Sequence, residues 1–222
     1  MSMPTAMTIP AGIFIGVSIN DYTVAQYDPV TGEISINETS CADPLSNTKM
    51  KYLLKHELVH AKQFETIARM DDGIEKLNYA CLKQLSNTYK NNPLFKNSID
   101  TIYNEIITEQ TDKYDNLKVT VSGYKFPFKE WTIAMHRLMN DEAKTYKDIP
   151  MLINKEHYET VRQKLGKLSK EEEKLANKYY EAFLNYKILS SAIDVLNPWS
   201  DYYNNILEKE AYAVMPLWAR YF

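Results

Sequence analysis

The hydrophobic pattern of this 222-residue chain changes period once. From residue 11 to 37 it suits strands. "GIFIGVSI" is an apolar β-branched run, "TVAQY" follows Asn20-Asp21, and "EISINE" alternates apolar with polar after the turn signal Asp28-Pro29-Val30-Thr31-Gly32. These stretches predict a small N-terminal antiparallel sheet or hairpin. A loop over 39–46 then leads to a helix that Ser46 or Asn47 can cap, running to about Met70 and stopping near Asp71-Asp72-Gly73. Beyond it the chain reads as mostly helical, with helices over 74–90, 94–112, 128–146, 155–166 and 169–196. Breaks fall at Asn91-Asn92-Pro93, Ser122-Gly123 to Pro127, Asp148-Ile149-Pro150 and Gly166. "LKVTVSGYKF" suits a short strand pair. Pro198 breaks the preceding helix, Ser200 is a good N-cap, and a last helix runs from Asp201 until Pro216 bends it. The expected class is α+β, mostly helical, in a single domain over 1–222.

The first helix carries the chemistry. At ~100° per residue, Met50, Leu53, Leu54, Ala61, Phe64 and Ala68 gather on one side, and Lys51, Lys55, Lys62 and Arg69 on another. Glu57 falls inside the apolar stripe, and His56 and His60 sit at its edge. A carboxylate among apolar neighbours is costly unless it is paired or bound to something. Histidines four apart lie one above the other on a helix and can offer two imidazole nitrogens to one metal ion. With a glutamate after the first, "HELVH" forms the zinc-hydrolase pattern. The competing reading is a buried helix whose histidines are satisfied by hydrogen bonds and whose glutamate meets a lysine.

Composition narrows the classes. Hydrophobic content of 45% and charged content of 25% are those of an ordinary globular protein. A net charge of −3 gives no bulk electrostatic case for nucleic acid. Cys41 and Cys81 are too few for a disulfide framework and form no CxxC; two reduced thiols are expected. Met1 to Pro10 carries no Lys or Arg, the apolar run Ile13 to Ile19 is short, and no stretch approaches the ~20 apolar residues of a membrane span. The expected setting is a cytoplasm, or a particle such as a virion assembled there, with no membrane partner.

"LLKHELVHAKQFE" resembles the active-site helix of zincin metallopeptidases. The resemblance covers this helix, the strand before it and a segment near the C-terminus. It implies a zincin-like fold in which 11–70 supplies strands and active-site helix, 73–196 is a large helical insert, and 198–222 brings a ligand helix. It also makes Glu33 to Glu38 the candidate edge strand along which an extended substrate pairs. Catalytic zinc takes three protein ligands and a water, and no third histidine follows the motif at the short metzincin spacing. "ILEKEAYAV" resembles the Glu-x-x-Ala-x-Ala ligand helix of gluzincins, also seen in the lethal-factor branch. On that pattern Glu208 is the third ligand, Ala211 lets two helices approach, and Tyr212 stands where relatives often carry a polar supporting residue. Glu210 is the rival. The two glutamates point ~200° apart on a helix, and the apolar stripe Tyr203, Leu207, Ala211, Val214 and Trp218 lies nearer Glu210. The gap of 148 positions between His60 and Glu208 departs from compact gluzincins.

The resemblance implies one Zn²⁺ per chain on His56, His60 and Glu208, with an open position for water and Glu57 as general base. The substrate would be a peptide or protein, and the helical insert is a candidate surface for a protein partner. The oxyanion donor is open among a tyrosine, His136 and Arg220. His136 and His157 otherwise read as structural. The alternative function is a zincin-fold structural or binding component, of a phage particle or toxin-like assembly, with little or no catalysis.

Overall fold

The architecture comes from a computed structural model that describes residues 13–15, 25–36, 46–108, 112–121, 124–191 and 204–216. Cys41, the loop with Asp43-Pro44, Pro198, Ser200, Trp218 and Arg220 lie outside the described residues.

Three short strands form the N-terminal sheet: β1 (Ile13–Ile15), β2 (Ala25–Asp28) and β3 (Glu33–Ile36), in the order β1-β3-β2. The Asp28–Gly32 turn closes a local antiparallel hairpin that sets Tyr27 opposite Ile34. Gly32 takes φ +76° there and donates from N to the Asp28 carbonyl at 2.8 Å, while the Asp28 side chain accepts from Val30 N. β1 pairs with β3 in parallel, Ile13 opposite Ile34. The sheet is therefore mixed rather than antiparallel, and β3 is its middle strand. The expected free edge at Glu33 to Glu38 is corrected for its strand part, 33–36, because both sides of β3 are paired. The edge strands are β1 and β2.

Helices dominate the rest: α1 (Ser46–Ala68), α2 (Gly73–Tyr89), α3 (Pro93–Thr108), α4 (Phe128–Met139), α5 (Lys155–Leu165), α6 (Lys170–Ser191) and α7 (Ile206–Ala213). The strand pair in "LKVTVSGYKF" is present as β4 (Lys118–Val121) and β5 (Tyr124–Pro127), antiparallel. Gly73 opens α2 at a corner so tight that a Cβ there would come within 1.9 Å of the Ile67 carbonyl oxygen. α4 ends seven residues before the expected 146. Asp141 turns to φ 54°, and Thr145 with Asp148 forms a capping box on a separate 3-10 turn at Tyr146–Asp148. α7 starts at Ile206, where the Asn205 side chain accepts from Leu207 N at 2.9 Å.

The core has two buried groups. One joins Ile34 and Ile36 of the sheet to Phe64 and Ile67 of α1, Leu77 of α2, Tyr158 of α5, Phe183 of α6 and Leu207 of α7. The other gathers Leu82, Ile99, Phe126, Trp131, Met135 and Leu138 from α2, α3, β5 and α4. The stretch expected as an insert thus divides. Its α2, α5 and α6 share a core with the motif helix, while α3, α4 and β4–β5 pack apart from it. Among the described residues, no helix is long and apolar enough to cross a membrane.

Candidate metal centre

The amphipathic pattern of α1 places its polar residues at two depths. Lys51, Lys55 and Lys62 are exposed, while His56 and Glu57 are each 6% exposed. α7 crosses this face. Its Ala211 is fully buried, and Glu208 is buried one turn earlier. His56 Nε2 and His60 Nε2 lie 3.1 Å apart. Glu208 Oε2 is 3.5 Å from the first and Oε1 3.7 Å from the second.

These lengths bear on what the trio can hold. Both carboxylate contacts are longer than a good N–H···O hydrogen bond, about 2.7–3.2 Å. They run to different carboxylate oxygens and lie slightly beyond the ligand-to-ligand edge of roughly 3.3–3.4 Å that follows from metal–ligand bonds of about 2.0–2.1 Å in a tetrahedral site. The donor set of two imidazoles and a carboxylate has the composition of a catalytic metal site. Within the described residues, His56, His60 and Glu208 are brought within ligand distance of one another and can hold a metal ion.

Electrostatics follow the same geometry. Burial works against ionisation of Glu208, but the imidazoles facing it outweigh burial and draw its carboxyl down to about 2. Burial disfavours the charged form of His60, and Glu208 more than offsets this, so His60 is raised. Glu57 is pushed up by burial, partly opposed by His60, His56 and the main-chain N–H of Tyr27. That N–H belongs to edge strand β2 and donates to Glu57 Oε2 at 2.7 Å. β2, rather than the expected 33–38 segment, is the strand that meets the motif helix at this point.

Glu210 points elsewhere. Its Oε2 accepts from Tyr179 Oη at 2.6 Å and from Gln63 Nε2 at 3.2 Å. Of the apolar stripe, Leu207 and Ala211 are buried and Val214 is exposed at the end of α7, while Tyr203 and Trp218 lie outside the described residues. Tyr212 packs its ring edgewise on His56, with centroids 4.6 Å apart. His136 is not brought to the trio. It stacks on Tyr103 of α3 at 3.6 Å and faces Asp100 and Glu142. His157 sits over Gly32, where an added Cβ would come within 2.4 Å of its Cδ2.

Sequence reasoning missed Tyr27, Gln63 and Tyr179. Gln63 left a signal. It stands three residues after His60 and seven after His56, on the same helical face. Tyr27 acts through its backbone and leaves none. No family model, curated protein or solved structure matches the chain.

Proposed function

We propose that this chain is a zinc-dependent metallopeptidase of the gluzincin type, with a zincin-like fold. The observation that carries the reading is the meeting of His56, His60 and Glu208 beside a buried glutamate that stands outside the trio. Zinc is the expected ion because two imidazoles and one carboxylate suit it. When bound, Zn²⁺ supplies Lewis-acid activation of water and of the scissile carbonyl.

The residues divide the remaining work. His56 and His60 present Nε2, and Glu208 supplies the negative charge. Glu57 keeps Oε2 on the Tyr27 N–H, which orients the carboxylate and leaves Oε1 to take a proton from the attacking water. The same proton passes to the leaving amine, which restores the carboxylate. The raised affinity of Glu57 for a proton suits it to both transfers.

The second reading is a zincin-fold binding component with little catalysis, in which the same trio would hold a structural ion. One experiment tests both. Zinc content is measured by elemental mass spectrometry, and cleavage of a peptide library is compared between the wild type and Glu57→Gln. Near one zinc per chain with cleavage lost in the variant supports the peptidase. Zinc without cleavage in either supports the binding component. No zinc after refolding with the metal overturns both.

A further inference from the structure

Gln63 is only 2% exposed and uses its whole amide. Its Oε1 lies 3.0 Å from His60 Nδ1. Its Nε2 donates to the Leu207 carbonyl at 3.1 Å and to Glu210 Oε2 at 3.2 Å. Both acceptors sit on α7, one residue before and two residues after Glu208. Glu210 is in turn held by the Tyr179 hydroxyl from α6 at 2.6 Å.

The chemistry of an amide makes this arrangement directional. The NH₂ end must face the two α7 oxygens, since the reversed amide would set oxygen against a carbonyl and a carboxylate. With NH₂ fixed there, Oε1 is the atom left for His60, and it can only accept. His60 must then carry a proton on Nδ1, and when the ring is neutral its Nε2 is the nitrogen left to hold a metal ion. His56 has no comparable support. Among the described residues its Nδ1 finds no hydrogen-bond partner, and its ring is set by packing on Tyr212 and His60.

We infer that Gln63 is a positioning residue that locks His60 in its Nδ1–H tautomer and ties that tautomer to the docking of α7, so both arms of the metal centre are set by one buried amide. The inference rests on the metal reading above. It predicts a centre whose ligands are unequal, His60 held by a directed hydrogen bond and His56 by contact alone.

The test uses Gln63→Met, which keeps the volume and removes every polar contact, and Glu210→Ala, which removes one of the two acceptors from a half-buried position. The first readout is the His60 tautomer in the metal-free chain, from long-range ¹⁵N–¹H correlation of the imidazole at a pH where the ring is neutral. The wild type should show Nδ1–H and Gln63→Met a mixture. The second readout is Zn²⁺ affinity by chelator competition. It should fall about 10- to 100-fold in Gln63→Met and by a smaller factor in Glu210→Ala, with one zinc per chain retained. A purely structural glutamine would lower thermal stability and leave both readouts unmoved. An unchanged tautomer in Gln63→Met overturns the inference whatever the metal result. If that variant does not fold, an Nε2–H tautomer in the wild type overturns it equally. Failure of the wild type to bind zinc while the tautomer shifts as expected overturns the metal reading instead.

Discussion

Tyr27 and Glu57 are joined by a hydrogen bond of 2.7 Å from the main-chain N of one to Oε2 of the other. A sheet edge thereby grips the residue proposed as the base. The grip needs only an acceptor, so Glu57→Gln should keep it. The variant should retain zinc and lose about 10²- to 10⁴-fold in hydrolysis. Because burial makes the charged form of Glu57 costly, the metal-free variant should also melt no lower than wild type at neutral pH. Calorimetry together with a peptide assay checks both.

Ligand identity is decided by removal. His56→Ala and Glu208→Ala should each abolish stoichiometric zinc, while Glu210→Ala should keep it. Elemental mass spectrometry of the purified variants reads this directly. Zinc kept in Glu208→Ala and lost in Glu210→Ala would reverse the assignment.

The metal-free chain should show a stability profile with two limbs. Glu208 is depressed from 4.5 to about 2, so its contribution is present above about 4.5 and lost as pH falls toward 2. His60 is raised above 6.5, so its contribution is present below 6.5 and lost as pH rises through its folded value. The pair should contribute most between about 4.5 and 6.5. Glu57 is also raised, so its contribution is present below about 4.5 and falls as pH rises from there through its folded value, which tilts the plateau downward toward neutral pH. Saturating zinc should remove the alkaline limb, because the metal takes neutral imidazole and affinity rises with pH. Thermal melts across pH, with and without the metal, check the sign of each limb.

Gly32 controls how β2 is presented. Gly32→Ala must place a side chain at φ +76° and within 2.4 Å of His157 Cδ2. The left-handed backbone alone costs about 1–2 kcal/mol, and the clash with the His157 ring adds to it. Denaturant unfolding should show a loss at least that large. His157→Ala in the Gly32→Ala background should relieve the clash and leave the backbone cost.

Ala211 is fully buried on α7, the helix that packs on α1. Ala211→Leu should cost roughly 1–3 kcal/mol by overpacking and weaken zinc binding with it, because the strain falls beside Glu208. Unfolding and chelator competition on the same sample would show whether the two losses travel together.

What the sequence made legible was local. The motif helix carries period, flanking charge and stop signal within its own residues, and α1 lies where they point. α4 ended early because Asp141 and the Thr145–Asp148 box interrupt it, and neither is a strong stop signal in a helix-forming composition. The position of β3 could not be read, since its second neighbour pairs in parallel from well upstream. Glu208 and Glu210 could not be separated by an apolar stripe, because the rotation of α7 rests on polar contacts from Gln63 and Tyr179. Those contacts join residues more than a hundred positions apart, or belong to a neighbouring helix.

The distance along the chain between His60 and Glu208 has a consequence for the order of events in folding. The two histidines are in hand as soon as one helix forms, but the carboxylate arrives only once α7 docks on α1 and α6. A chain in which α7 has not docked holds two imidazoles and no third donor, and so binds the ion weakly. Metal capture would then report on the finished fold, and under the proposed peptidase function a partly built molecule would be kept from hydrolysing its neighbours.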